Sequence, residues 1–287
     1  MNPMHTAELQ IRTPTLDERP QVIECMRVAL NTPSWFAERR GPLLDPNDFL
    51  AAFDHDHVVG IAGARVFTQF FGGGELPMSG VTTVGVLPEH RGSGIASRLV
   101  ADVLRRDRAN GALVSSLYPA ALRPYRALGF ELAGTFTEHR APLEDLPVFG
   151  GRLPVRELTP EDIPGVRACY RRTVEKDNGP IDGDDTWWWR DRKLAHVVPD
   201  KLYRTVVVRG AEGIEGFASF HNAEASEVPE YLFRLEGQFT AATPDALRTL
   251  LDYFRGFRGM GVSLTWTGPP VDPVALKTLL ATFEAWS

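Results

Sequence analysis

Cysteine is scarce in this chain: 287 residues contain only Cys25 and Cys169. Two cysteines so far apart form no zinc-binding spacing and no disulfide framework, so the fold must rest on a packed core. No apolar run approaches the length of a membrane span, and the first ten residues lack the basic-then-apolar layout of a secretory signal. The expectation is a cytoplasmic protein with no membrane partner. Positive charge is also in deficit. Thirty-one Lys and Arg against 37 Asp and Glu leave a net charge of −6, which argues against nucleic acid and suits a cationic substrate. What is present is a globular composition, 43% hydrophobic and 24% charged, in a chain long enough for two domains with separate cores.

The chain repeats itself. Ile11–Arg27 laid over Val155–Arg171 matches Arg12 with Arg156, Thr15 with Thr159, Pro20 with Pro164, Val22 with Val166, Cys25 with Cys169 and Arg27 with Arg171, without a gap. Each copy reads as a short strand, a Thr-containing cap followed by acids, and an amphipathic helix. Two copies of one α/β fold are expected, with the boundary in the Pro- and Gly-rich stretch Pro147–Pro154, giving domains at 1–148 and 149–287.

In the first copy, Val58–Gln69 reads as a strand after the polar turn Asp54–His57. Its two histidines fit a solvated hairpin tip better than a metal pair, since no further ligand is indicated. Phe70–Glu75 reads as a flexible turn into a strand at Met78–Val86. The stretch from Thr82 to Leu104 is the centre of this copy: Val81, Val84 and Val86 give β-branched character, Pro88 ends the run, and Ile95, Leu99, Val103 and Leu104 recur at helical spacing. Between strand and helix stands Arg91-Gly92-Ser93-Gly94-Ile95-Ala96. Backbone N–H groups of a helix's first turn have no internal partner, so such a turn can seat an anion. Gly92 and Gly94 allow close approach, and Arg91 adds a charge able to pair with a phosphate.

Three readings apply to this turn. An ordinary strand–loop–helix connection is one. A dinucleotide fingerprint fits poorly, because Ser97 stands where the third glycine belongs and some eighty residues come first. The third is Arg-x-x-Gly-x-Ala after a Val-x-Val strand, which resembles the acyl-CoA signature of the GNAT acetyltransferases. A further strand is expected at Ala112–Tyr118, a short helix at Ala120–Ala127 and another strand from Gly129 to Ala133. In the second copy, Gly216–Phe220 and Leu232–Thr240 read as strands, and Thr243-Pro244 caps a helix bearing Leu247, Leu250, Leu251 and Phe254. Neither glycine nor arginine stands at that turn, so this copy has no evident seat for a pyrophosphate. Trp187–Trp189 reads as aromatic packing rather than a binding site.

Pro124–Phe130 resembles the Y-x-x-x-G-F/Y signature of the same enzymes. The whole pattern, with a second, degenerate GNAT copy, the tryptophan cluster and Pro269–Pro273, resembles the Eis (enhanced intracellular survival) acetyltransferases over nearly the full chain. The resemblance implies a tandem GNAT fold and acetyl-CoA-dependent N-acetylation of a cationic amine, such as an aminoglycoside, polyamine or lysine-like group, in a homo-oligomer that is hexameric in that family. It assigns acetyl-CoA contacts to Val84, Gly85 and Val86, to Arg91, Gly92, Ser93, Gly94, Ile95, Ala96 and Ser97, and to Ala120 and Ala121, with no metal. Tyr125 is the expected proton donor to the departing thiolate, a role open to a phenol whose ordinary pKa is about 10. Trp35 and Phe36 are candidates for the acceptor pocket, with half-buried packing as the equal alternative. Family members continue into a sterol-carrier-like domain whose C-terminal carboxylate is the general base. Here the expectation is a chain ending before it, at Ala285-Trp286-Ser287, with no base named. A GNAT enzyme acting on a protein N-terminus or small metabolite, and a CoA-binding module without turnover, remain as alternatives.

Overall fold

The structure is a computed structural model and describes residues 9–34, 41, 44–135, 137–184, 204–224 and 233–268. The chain forms two compact units, one of Met1–Gln69 with Glu75–Leu132, the other of Phe70–Gly74 with Ala133–Ser287. In the first, the order is β1 (Gln10–Arg12), α1 (Arg19–Ala29), β2 (Phe49–Asp54), β3 (His57–Phe71), β4 (Gly74–Val86), α2 (Ile95–Ala109), β5 (Val114–Ser116) and α3 (Leu122–Arg126). Strands β1 to β5 lie side by side in sequence order, and β4 and β5 pair in parallel across α2. Alternation along β2 divides the core between two faces. Phe49, Ala51 and Phe53 pack with Val22, Cys25 and Met26 of α1, whereas Leu50 and Ala52 pack with Ile95, Leu99 and Val103 of α2.

The second unit repeats this plan. It contains β6 (Thr137–Pro142), β7 (Val155–Glu157), α4 (Ile163–Val174), β8 (Ile181–Asp182), β9 (Arg204–Gly210), β10 (Gly213–Glu224), β11 (Phe233–Ala241), α5 (Pro244–Arg255) and β12 (Gly261–Gly268). Its sheet runs β7-β9-β10-β11-β12-β6, with β11 and β12 parallel across α5. Helix α5 covers one face through Leu250, Leu251 and Phe254, and α4 the other through Val166, Cys169 and Tyr170.

The expected repeat extends to hydrogen bonds. Arg12 grips Glu18 through two bonds of 2.7 and 2.5 Å, and Arg156 grips Asp162 through two of 2.6 Å. Each carboxylate also accepts the N–H of the matched threonine, Thr15 or Thr159, at 2.8 or 2.9 Å. Paired and hydrogen-bonded in this way, both Glu18 and Asp162 are held down to about 2, chiefly by their arginines. A carboxyl lowered by folding contributes stability above its ordinary pKa, and that contribution is lost as pH falls through the folded value. Acid unfolding followed by circular dichroism should therefore draw on these pairs between about pH 4 and 2. In an Arg12→Met, Arg156→Met double variant the acid midpoint should move upward.

The compact units divide at Leu132 and Ala133, where β6 joins the second sheet as the antiparallel neighbour of β12. Several expectations of secondary structure differ from the structure. Gly129–Ala133 forms no strand; its Leu132 is 63% exposed, and Glu131 pairs with Arg126. Phe70–Glu75 is no loose turn. Phe70 is 1% exposed, packed among Ile163, Val166, Tyr170 and Phe217, and its backbone pairs with Gly179 and Pro180 at 2.9 Å. Gly72 N–H donates to Asn178 Oδ1 at 2.6 Å. The expected strand at Ala112–Tyr118 shortens to Val114–Ser116, and the short helix to Leu122–Arg126. Among the described residues, no helix is long and apolar enough to cross a membrane.

Candidate active site

Strand β4 and the start of α2 carry most of the residues singled out from the sequence. β4 pairs with β5 only at Met78, Ser79 and Gly80, opposite Val114, Ser115 and Ser116. From Val81 to Val86 the strand runs on without β5 beside it among the described residues, leaving backbone groups available to an extended ligand. Within this reach Thr83 adopts φ +52°, a left-handed conformation that is an outlier for a β-branched residue. The strand is thus bent immediately ahead of Val84, Gly85 and Val86. Thr83 was not foreseen, since a threonine in a strand gives no sequence signal of a reversed dihedral.

Gly85 is buried for a steric reason. A Cβ there would meet Ala29 Cβ at 2.9 Å and Leu30 Cδ2 at 3.4 Å, so its hydrogen lets the end of α1 rest on β4. Ala29 is a second contact without a sequence signal. Beyond Val86 the turn has the form expected of an anion seat. Gly92 and Gly94 have φ +79° and +80°, and nothing in the protein lies within 4 Å of where their Cβ atoms would be. Gly94 is the N-cap of α2, and no side chain caps the helix. Among the described residues, the N–H groups from Gly92 through Ser97 have no hydrogen-bond partner. They stand at the positive end of a 15-residue helix. The Arg91 guanidinium donates to the carbonyl oxygens of Val86 and Ala29.

The matching helix start in the second unit is closed. Thr243 caps α5 by accepting from Ala246 N–H at 3.2 Å, and its hydroxyl donates to Glu215 Oε2 at 2.9 Å. A capped amide and a carboxylate both disfavour an anion there.

Ala120 and Ala121 are exposed just ahead of α3, Ala121 being its N-cap. Tyr125 lies on α3, with its ring edge-to-face to Phe130 at 6.1 Å and 82°. Leu128 and Phe130 N–H both donate to Tyr125 O, at 2.9 and 3.1 Å, so the turn after α3 folds the second ring of the motif onto the first. Burial pushes the phenol above its ordinary value. Tyr125 therefore stays protonated throughout the neutral range, as a proton donor must. His55, at the exposed turn between β2 and β3, lies 2.9 Å from Asp54. Trp35, Phe36, Trp187–Trp189 and Pro269–Pro273 fall outside the described residues.

Comparison with known proteins gives the family. Residues 10–133 match an acetyltransferase (GNAT) domain, and residues 180–283 match a second acetyltransferase (GNAT) domain. A Streptomyces avermitilis protein described as an uncharacterized N-acetyltransferase is 28% identical over 75% of this chain. The chain spans about half the length of that relative, 54% of it. A GCN5-related N-acetyltransferase from Anabaena variabilis superposes with a TM-score of 0.84 over 94% of this chain and 68% of its own, at 18% identity. Eis1 from Mycobacterium abscessus gives 0.71 over 93% and 67%, at 20% identity. At such identities these two superpositions establish the shared fold. With both of its domains matched in sequence and the fold matched throughout, this chain belongs to the GNAT N-acetyltransferase family and is built from two GNAT domains.

Proposed function

We propose that the chain transfers the acetyl group of acetyl-CoA to a primary amine of a cationic acceptor, of the aminoglycoside, polyamine or lysine-like class. The observation that carries this reading is the uncapped start of α2 directly after the unpaired reach of β4, a combination closed in the second unit by Thr243 and Glu215. Backbone N–H groups from Gly92 to Ser97 suit a pyrophosphate, and the β4 edge at Val84, Gly85 and Val86 suits an extended amide-bearing arm. Ala120 and Ala121 are small and exposed, and the same reading gives them contacts with the cofactor. Acetyl-CoA supplies an activated acyl carbonyl and a thiolate leaving group. The chain's part is to hold the thioester beside the amine, to offer a backbone N–H to the oxygen on which charge develops, and to return a proton through Tyr125. The net charge of −6 favours a cationic acceptor. Assembly as a homo-oligomer belongs to the same reading.

The test is release of CoA thiol from acetyl-CoA across a panel of aminoglycosides, polyamines and lysine peptides, against an amine-free control. A thiol-reactive dye serves as the readout because the protein's own thiols contribute little. Cys25 and Cys169 are 2% and 0% exposed, and burial pushes them up to about 12 and about 11. Release that requires an aminoglycoside or polyamine is the expected result. CoA binding without release for any amine would overturn the enzymatic reading.

A further inference from the structure

Arg91 heads the glycine turn, where a phosphate counter-charge is the expected role, yet its hydrogen bonds run back into the protein. Nε donates to Val86 O at 3.1 Å and an Nη2 hydrogen to Ala29 O at 2.9 Å. Val86 is the last residue of β4 and Ala29 the last of α1. A helix-end carbonyl has no partner within its helix and carries the negative end of the dipole, so a guanidinium there both satisfies and neutralises it. The contact is built from the other side too. Gly85, one residue before Val86, allows Ala29 and Leu30 to approach closer than any side chain would permit. The chain leaving α1 is itself folded back, with Leu30 N–H bonded to Met26 O and Thr32 N–H to Arg27 O. The anion seat, meanwhile, is made of backbone N–H groups that need no help from this side chain to exist.

We infer that Arg91 is a positioning residue that straps the end of α1 to the end of β4, fixing the path of the chain from Leu30 to Ser34 as it leaves the helix, and that it is not the counter-charge of the CoA phosphates. The inference rests on the acetyl-transfer reading only for its consequence in catalysis; the strap stands on the geometry. Losing it should disturb the acceptor side of the reaction and leave CoA affinity alone.

Arg91→Met removes the donors and keeps most of the apolar stem, and Arg91→Lys restores one charged donor. Calorimetry with CoA, amide hydrogen exchange of the full chain, and steady-state kinetics with the fastest amine of the panel form the test. In Arg91→Met the CoA Kd should stay within about twofold of wild type. Exchange at the Leu30 and Thr32 amides should rise about tenfold, with α2 and β2 unchanged, as expected for loss of charge-assisted bonds that hold one local segment. The amine KM should rise about fivefold or more with kcat nearly constant, and Arg91→Lys should recover part of it. A CoA Kd raised about tenfold with exchange at α1 unchanged would make Arg91 a phosphate ligand and overturn the inference. A wild-type chain that turns over no amine refutes the proposed function instead, and the exchange and calorimetric results still decide the strap.

Discussion

Tyr125→Phe should lower kcat by about a hundredfold or more, the range associated with losing a positioned proton donor, while CoA affinity remains near that of wild type. The substitution removes one oxygen and keeps the ring, so the edge-to-face contact with Phe130 and the turn bonded to Tyr125 O persist. A fall in turnover is then a loss of chemistry rather than of structure. Because burial raises the phenol, its ionisation lies above the ordinary value of about 10. A donor is active while protonated, so the wild-type rate should not lose activity to this group until pH climbs through that raised value. Steady-state rates from pH 6 to 10, with thermal melts of both proteins, test the assignment. Wild-type turnover in Tyr125→Phe would remove Tyr125 from the mechanism.

Phe70→Ala is expected to destabilise the second unit by about 3–5 kcal/mol, the usual cost of emptying a fully buried phenylalanine site. Phe70 is 1% exposed amid Ile163, Val166, Tyr170 and Phe217, and the Arg171 guanidinium lies over its ring at 5.0 Å. The cavity would sit beside the pairing of Phe70 with Gly179 and Pro180, so the backbone there has little freedom to collapse into it. Chemical denaturation monitored by hydrogen exchange should show the loss in amides of α4 and β9. Phe71→Ala is the control: Phe71 is 58% exposed, and its removal should cost well under 1 kcal/mol. Equal effects from the two would contradict the packing described.

The sequence made the local parts of this molecule readable. Both first helices announce themselves by apolar period, and the matched Arg12 and Arg156 make the same bidentate bonds six residues downstream. The glycine turn was legible for the same reason, since Gly92 and Gly94 act through their own dihedrals. What escaped was non-local. Phe70 packs against residues about a hundred positions away, Arg91 bonds a carbonyl 62 residues earlier, and β6 pairs with a strand far downstream. A local pattern carries no record of such partners. Thr83 escaped differently: its side chain suits a strand, and its positive φ is imposed by surroundings that local propensity does not describe.

The closed start of α5 bears on how a second ligand site could be recovered. Opening it means giving up the Thr243 cap, worth about 1 kcal/mol, before any anion can be held, and the Glu215 carboxylate must go as well. Glycines with positive φ would then have to replace residues that now order the turn, at a further cost in unfolded-chain entropy. Each step alone makes the domain less stable and none alone makes it useful. A selection experiment for CoA binding in this half of the chain would therefore have to cross a valley of several simultaneous changes.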